Sequence, residues 1–398
     1  MKFEIDDDQL IHFAQALAWT PSQSGEEGAA VALATERFRS LGFDEVEVDG
    51  AGNAIGIMGS GDGPRLLIDG HIDTIPLHSR DRWTVDPFAG DIIDGKLYGL
   101  GICDQKASIA AAAHGLAAAL RRCGSFTGSV ALVGSVCEEA IEGAALAPFV
   151  ERFRPDFAVT SEPSDTRLCI GQRGRAKVEL RIKGRACHAG HAAEGLNAAE
   201  ALALVIAEVR SADHPVHDRL GTRDITCIDI ASWPYPSVST VPGDAMARFD
   251  CRFLPGETPD SLIGMITDCA ARALGDWDES PAVTVGLVQA EFATWTGAEF
   301  SLAEFEPAWW TEEESPLARA AIAGLTAVGI DATPTHYSFC TNGSYLAGEA
   351  GIPTVGFGVG LENMAHQVDE HVTLDSIRRG AQGYAALATQ LLAGDEYR

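Results

Sequence analysis

The hydrophobic periodicity of this chain changes twice, and those changes limit the folds open to it. Before about residue 174, and again after about residue 291, short apolar runs alternate with segments whose apolar residues recur at helical spacing. Residues 65–69, 130–133, 157–160 and 352–357 read as buried strands, and 26–41, 107–122, 316–328 and 374–392 as helices. Strands alternating with helices predict a mostly parallel sheet covered on both faces. Between the changes the order is different. A strand over 175–183 alternates apolar and polar residues, then come a helix over 196–210 and strands over 224–232 and 244–253. A helix over 259–274 and a strand over 282–289 complete a ferredoxin-like plan. Such a unit keeps an open face and an available edge, which suits dimerisation. The expected architecture is an α/β domain over 1–173 and 292–398, interrupted by an inserted α+β unit over 174–291. A length of 398 residues agrees with more than one core.

Charge removes some functions. A formal net charge of −28 repels phosphate backbones, so no nucleic-acid partner is expected. No apolar run is long enough to span a bilayer, and the acidic N-terminus MKFEIDDDQL has no apolar signal core, so a cytoplasmic protein without a membrane partner is expected. The nine cysteines are scattered without C-x-x-C spacing, which argues against a structural zinc site and for buried thiols in a reducing compartment.

Five places carry residues able to bind a metal. His71-Ile72-Asp73 follows a strand, and on extended chain the two side chains point the same way. Gly99-Leu-Gly-Ile-Cys-Asp104-Gln-Lys precedes the Ala-rich helix. Its glycines let backbone approach a crowded site, and a carboxylate can bridge two cations. A dinucleotide loop is the competing reading, but Asp104 stands where its third glycine would be. Glu138-Glu139 follows an apolar strand, and two adjacent acids there repel unless a cation lies between them. Ser161-Glu162-Pro163 follows another strand. Ala365-His366 lies in a loop before Asp369-Glu370-His371. Each alone reads as a turn, a helix cap or a polar loop. Together, four of the five follow predicted strands or precede a helix of an open α/β sheet, whose ligands collect at strand carboxyl ends.

The order His-x-Asp, Gly-x-Gly-x-x-Asp-x-Lys, Glu-Glu, Glu-Pro and Ala-His resembles the M20 metallopeptidases, over nearly the whole chain. The resemblance implies a zinc-peptidase-like catalytic domain with a lid and two zinc ions per subunit, with cobalt or manganese as possible substitutes. Asp104 would bridge the ions, His71 and Glu162 would complete one site, and Glu139 and His366 the other. Asp73 would orient His71, and Glu138 would be the general base. His188, not His191, matches the lid histidine that precedes Gly-x-Asn-Ala and reaches the partner's active site in a homodimer. Arg252 matches the arginine that holds a substrate carboxylate, although an ion pair with Asp250 is its plainer reading. Asn342 and Gly343 are assigned to substrate binding, and here the pattern departs: Thr341-Asn-Gly stands for the usual Thr-Asp-Ala. Ser239-Thr-Val-Pro242 and Ala192 also depart from it. Asp-Gln-Lys, Gln172-Arg-Gly-Arg175 and Thr-Asn-Gly together look like the branch of selenium-metabolism-linked hydrolases, which leaves the substrate open. The implied activity is hydrolysis of a small carboxylate-bearing amide. A dipeptidase or exopeptidase on the same centre is the alternative, and a non-catalytic metal-binding protein the alternative of another class.

Overall fold

In the first unit, four adjacent strands all run the same way. Ser129–Ser135, Arg65–His71, Phe157–Thr160 and Thr354–Gly356 are parallel neighbours in that order. The computed structural model describes residues 1–59 and 62–392, and they form two units. The first comprises Met1–Gln172, Glu291–Phe300 and the chain from Trp310 onward. The second comprises Arg173–Ala290 and Ser301–Trp309.

The parallel strands are buried along nearly their whole length, which is why they read as continuous apolar runs. Periodicity passes over the edge of this sheet. Glu45–Val48 and Ala54–Met58 form an antiparallel hairpin that pairs with Ser129–Ser135. The helix Asp7–Trp19 is also passed over, although Asp6 caps it by accepting from Gln9 N. The run over 352–357 yields a strand only at Thr354–Gly356, since Pro353 has no N–H to donate.

The helix Ala107–Cys123 is buried from Ala107 to Ala119. Its small side chains let the helix Leu374–Leu392 come close. At Gly115 an added Cβ would lie 2.5 Å from the carbonyl oxygen of Ala381. Leu116, Leu387 and Leu391 belong to the same core.

The second unit has the ferredoxin-like order. Its antiparallel sheet runs Asp224–Trp233, Asp244–Phe253, Gly174–Lys183, Ala282–Leu287, with helices Ala198–Ser211 and Pro259–Ala273. A separate core of Val178, Leu180, Phe249, Leu262 and Ile266 holds it. Asp224–Trp233 is an edge strand, and Ile228, Ile230 and Trp233 on it are exposed. Among the described residues no helix is long and apolar enough to cross a membrane.

Candidate metal centre

Because the four central strands are parallel, their C-terminal ends open on one edge of the sheet, and the candidate ligands follow those ends. His71 ends Arg65–His71. Glu138 and Glu139 lie just beyond Ser129–Ser135, and Glu162 beyond Phe157–Thr160. Thr354–Gly356 leads into the loop of His366, and Asp104 comes from the loop before the Ala-rich helix. That loop requires glycine at position 101, where φ is +74° and an added Cβ would lie 2.2 Å from Thr74 Cγ2.

The structure brings these six side chains together. His71 Nδ1 lies 3.0 Å from the carbonyl oxygen of Asp73. A carbonyl only accepts, so Nδ1 carries a proton, and in the neutral imidazole Nε2 offers a lone pair. His71 Nε2 sits 3.0 Å from Asp104 Oδ1, 3.9 Å from Glu138 Oε2 and 4.0 Å from Glu162 Oε1. His366 Nε2 sits 2.9 Å from Glu139 Oε1 and 3.4 Å from Asp104 Oδ2. Asp104 thus turns one oxygen to each imidazole. Two overlapping triads, His71–Glu138–Glu162 and His71–Asp104–Glu139, have ligand atoms within 4.8 Å of one another, close enough to hold a metal ion.

The electrostatics also fit cations. Burial pushes the carboxyls of Glu138 and Glu162 well above the ordinary range, and neighbouring acids push the same way, while His71 opposes them. Burial likewise raises Glu139, against its hydrogen bond from His366. Burial disfavours a charged His71, but Glu138, Asp104, Asp73 and Glu162 outweigh it and raise its pKa. The hydrogen bond to Glu139 raises His366 to about 9. This many acids around two imidazoles repel one another unless positive charge lies among them. Imidazole nitrogen and carboxylate oxygen are the ligand types that suit zinc.

Three further carboxylates hold the backbone of the ligand-bearing turns. Asp73 accepts from the N–H groups of Glu138 and Glu139, both at 3.1 Å, and from the Ser24 hydroxyl at 2.7 Å. Its carboxylate is farther, 3.5 Å, from His71 Nδ1. It therefore grips the Glu138–Glu139 turn more directly than the imidazole it was expected to orient. Glu27, fully buried, accepts from the N–H of Cys137 at 3.1 Å and from its thiol. Glu370 accepts from Gly101, Cys103 and Asp104. Cys137 and His366 have φ of 57° and 60°, left-handed conformations that cost non-glycine residues about 1–3 kcal/mol and need such support. Sequence reading missed Glu27 and Glu370 as parts of the site. Nothing in the Asp369-Glu370-His371 run points to residues 101–104.

The remaining expected site residues have these contacts. Asn342 is 1% exposed, and its amide hydrogens go to Asp69 Oδ2 at 2.8 Å and Ser135 Oγ at 3.1 Å. Its oxygen accepts from Gly143 N. Gly343 N donates to Thr341 Oγ1 at 2.9 Å. Asn342 and Gly343 N thus hold other parts of the protein, Asp69, Ser135 and Gly143 among them. Arg252, in the second unit, donates to Asp250 Oδ1 at 2.8 Å. His188, also in the second unit, is exposed and accepts from Gly190 N through Nδ1 at 3.0 Å.

Imidazoles and acids gathered at the ends of parallel strands, with one carboxylate shared between two histidines, form a candidate metal centre, and the family match and relatives make the chain a metal-dependent hydrolase acting on amide bonds. The pattern of peptidase family M20/M25/M40 matches residues 67–390, and the chain belongs to that family. It is 29% identical over 391 residues to the uncharacterized protein YgeY of Escherichia coli (strain K12), covering 96% of this chain and 94% of that one. Succinyl-diaminopimelate desuccinylase of Rhodospirillum centenum (strain ATCC 51521 / SW) is 32% identical over 254 residues, 60% of this chain and 64% of that enzyme. The YXEP protein of Bacillus subtilis, a dinuclear metal binding peptidase, shares the fold with a TM-score of 0.74 at 15% identity, covering 97% of this chain and 98% of that one.

Proposed function

We propose that the protein is a two-zinc hydrolase that removes the acyl group from a small N-acyl amino acid or a related carboxylate-bearing amide. The observation that carries this reading is the division of Asp104, one oxygen toward His71 and the other toward His366. Each metal would then have three protein ligands, His71, Asp104 and Glu162 for one, and His366, Asp104 and Glu139 for the other. That number leaves open positions for water and substrate, as catalytic zinc sites require. Glu138 lies as near His71 Nε2 as Glu162 does, 3.9 against 4.0 Å, and we assign it as general base and not as a ligand on the M20 resemblance. Bound zinc would polarise the amide carbonyl and acidify a water molecule. Glu138 takes the proton of the attacking water and delivers it to the leaving nitrogen.

The desuccinylase relative favours an N-acyl substrate. The fold shared with a peptidase favours a second reading, a dipeptidase or exopeptidase on the same centre. A hydrolysis panel with added zinc decides between them, using N-acetyl, N-succinyl and N-carbamoyl amino acids beside dipeptides. Cleavage of acylated amino acids but not dipeptides is expected. If protein carrying two zinc ions cleaves none of them, the proposal is wrong.

We further propose a homodimer formed through the edge strand Asp224–Trp233, with His188 of each subunit serving the partner's centre. The exposed Ile228, Ile230 and Trp233 on an unpaired edge support this. Mixing Glu138→Ala with His188→Ala under subunit exchange should restore part of the activity, since one hybrid site keeps both groups. No recovery despite demonstrated exchange would mean that His188 acts within its own subunit or not at all.

A further inference from the structure

Glu370 is a buried acid with no role in the reaction as proposed. It is 1% exposed, and its carboxylate is spent on backbone. Oε2 accepts from Gly101 N at 2.9 Å, and Oε1 accepts from Cys103 N at 2.7 Å and Asp104 N at 3.1 Å. These are the N–H groups of the loop that delivers Asp104. Glu370 itself stands four residues after His366. Its own carbonyl accepts from Gly99 N at 3.0 Å, and the strand that follows, His371–Thr373, pairs antiparallel with Lys96–Tyr98. One side chain therefore ties the loop of one candidate ligand to the loop of another, across a sequence separation of 266 residues at Asp104.

We infer that Glu370 is a positioning residue for the metal centre: it fixes the Asp104 loop against the His366 loop, and so sets how tightly the metal shared by Asp104, Glu139 and His366 is held. The inference rests on the two-metal reading above. Its physical basis is simple. The rotation of a carboxylate at Asp104 depends on the backbone that carries it, whose φ and ψ of −120° and 85° lie outside the helix that follows. The two carboxyl oxygens of Glu370 accept three converging N–H groups at once. Glutamine at this position keeps the shape but replaces one oxygen with a donor, and at least one N–H then faces an NH2 group. Partners that orient metal ligands in this way usually alter metal affinity or activity by about 10–100-fold when removed.

The test is a cobalt titration of metal-stripped wild type, Glu370→Gln and Asp369→Asn, read by visible absorption and by metal analysis. Asp369 is the control because it lies in the same loop but holds Thr84, through N–H and hydroxyl, both at 2.8 Å. Expected are two equivalents bound by wild type, one equivalent weakened about 10–100-fold with an altered spectrum in Glu370→Gln, and a smaller change in Asp369→Asn. Unfolding of the metal-free proteins followed by circular dichroism should show Glu370→Gln folded. If Glu370→Gln does not fold, Glu370→Asp keeps the charge but is too short to reach all three N–H groups, and it should weaken the same equivalent. Affinities within twofold of wild type would overturn the inference, as would equal losses in Glu370→Gln and Asp369→Asn. A wild type that binds no second equivalent would instead overturn the two-metal reading itself.

Discussion

Adjacent glutamates with different tasks give the sharpest expectation. Glu138 and Glu139 differ in what they touch. Glu139 Oε1 is 2.9 Å from His366 Nε2, whereas the nearest imidazole nitrogen to Glu138 is 3.9 Å away, at His71. Glu138→Gln removes a buried negative charge from among Glu162, Glu142 and Glu139, which all raise its pKa. The metal-free fold should change little in stability at pH 7, because relief from burial and from these acids is offset by loss of the acid that most favours a charged His71. Two equivalents of metal should remain. What is lost is the proton shuttle, worth about 10²–10⁴ in rate, or roughly 3–5 kcal/mol of barrier at about 1.36 kcal/mol per decade. Glu139→Gln should lose one equivalent of metal along with activity, since His366 would then keep only Asp104, at 3.4 Å. Metal analysis after dialysis, kcat on whichever amide the panel identifies, and thermal unfolding without metal would be measured side by side. Release of metal by Glu138→Gln with retention by Glu139→Gln would refute the division of labour.

Other expectations are more local. His114 is 3% exposed and its Nε2 has no partner, and burial with the nearby Arg37 lowers its pKa from 6.5 to about 4. Between those values the unfolded chain binds a proton that the folded one does not, so stability falls as pH drops through 6.5. The loss should total about 3 kcal/mol by pH 4 and about 2 kcal/mol at pH 5. His114→Leu should lose that much less than wild type between pH 7 and pH 5 in denaturant unfolding, and identical pH dependence would count against a neutral His114. Gly115→Ala should lower stability by about 1–3 kcal/mol by urea unfolding, despite the better helix propensity of alanine, because the new Cβ would sit 2.5 Å from Ala381 O. Removing metal with a chelator should lower the Tm and zinc should restore it, since each ion at 100 times its Kd adds about 2.7 kcal/mol; an unchanged Tm would speak against tight metal binding.

Most of the element types could be read from the sequence, because burial on both faces leaves continuous apolar runs such as Val130–Val133 and helices leave a 3.6-residue repeat. Most candidate metal ligands were legible for a related reason: His71, Glu138, Glu139 and Glu162 stand at or just after those runs, and a parallel sheet carries such positions to one edge. The hairpin Glu45–Val48 and Ala54–Met58 was not legible, because an edge pair with short, partly exposed strands has little period of its own. Nor could local pattern show which polar groups would already be occupied. Asn342 is held by Asp69, Ser135 and Gly143, between 199 and 273 residues away in sequence. Glu370 looked like one acid in a polar loop until its three N–H partners near Asp104 were seen. Sequence alone determined which residues have the chemistry and which elements they follow, since both depend on near neighbours. The tertiary structure decided which of those groups face one another and which backbone each buried carboxylate grips, since hydrogen-bond partners are chosen by distance in space.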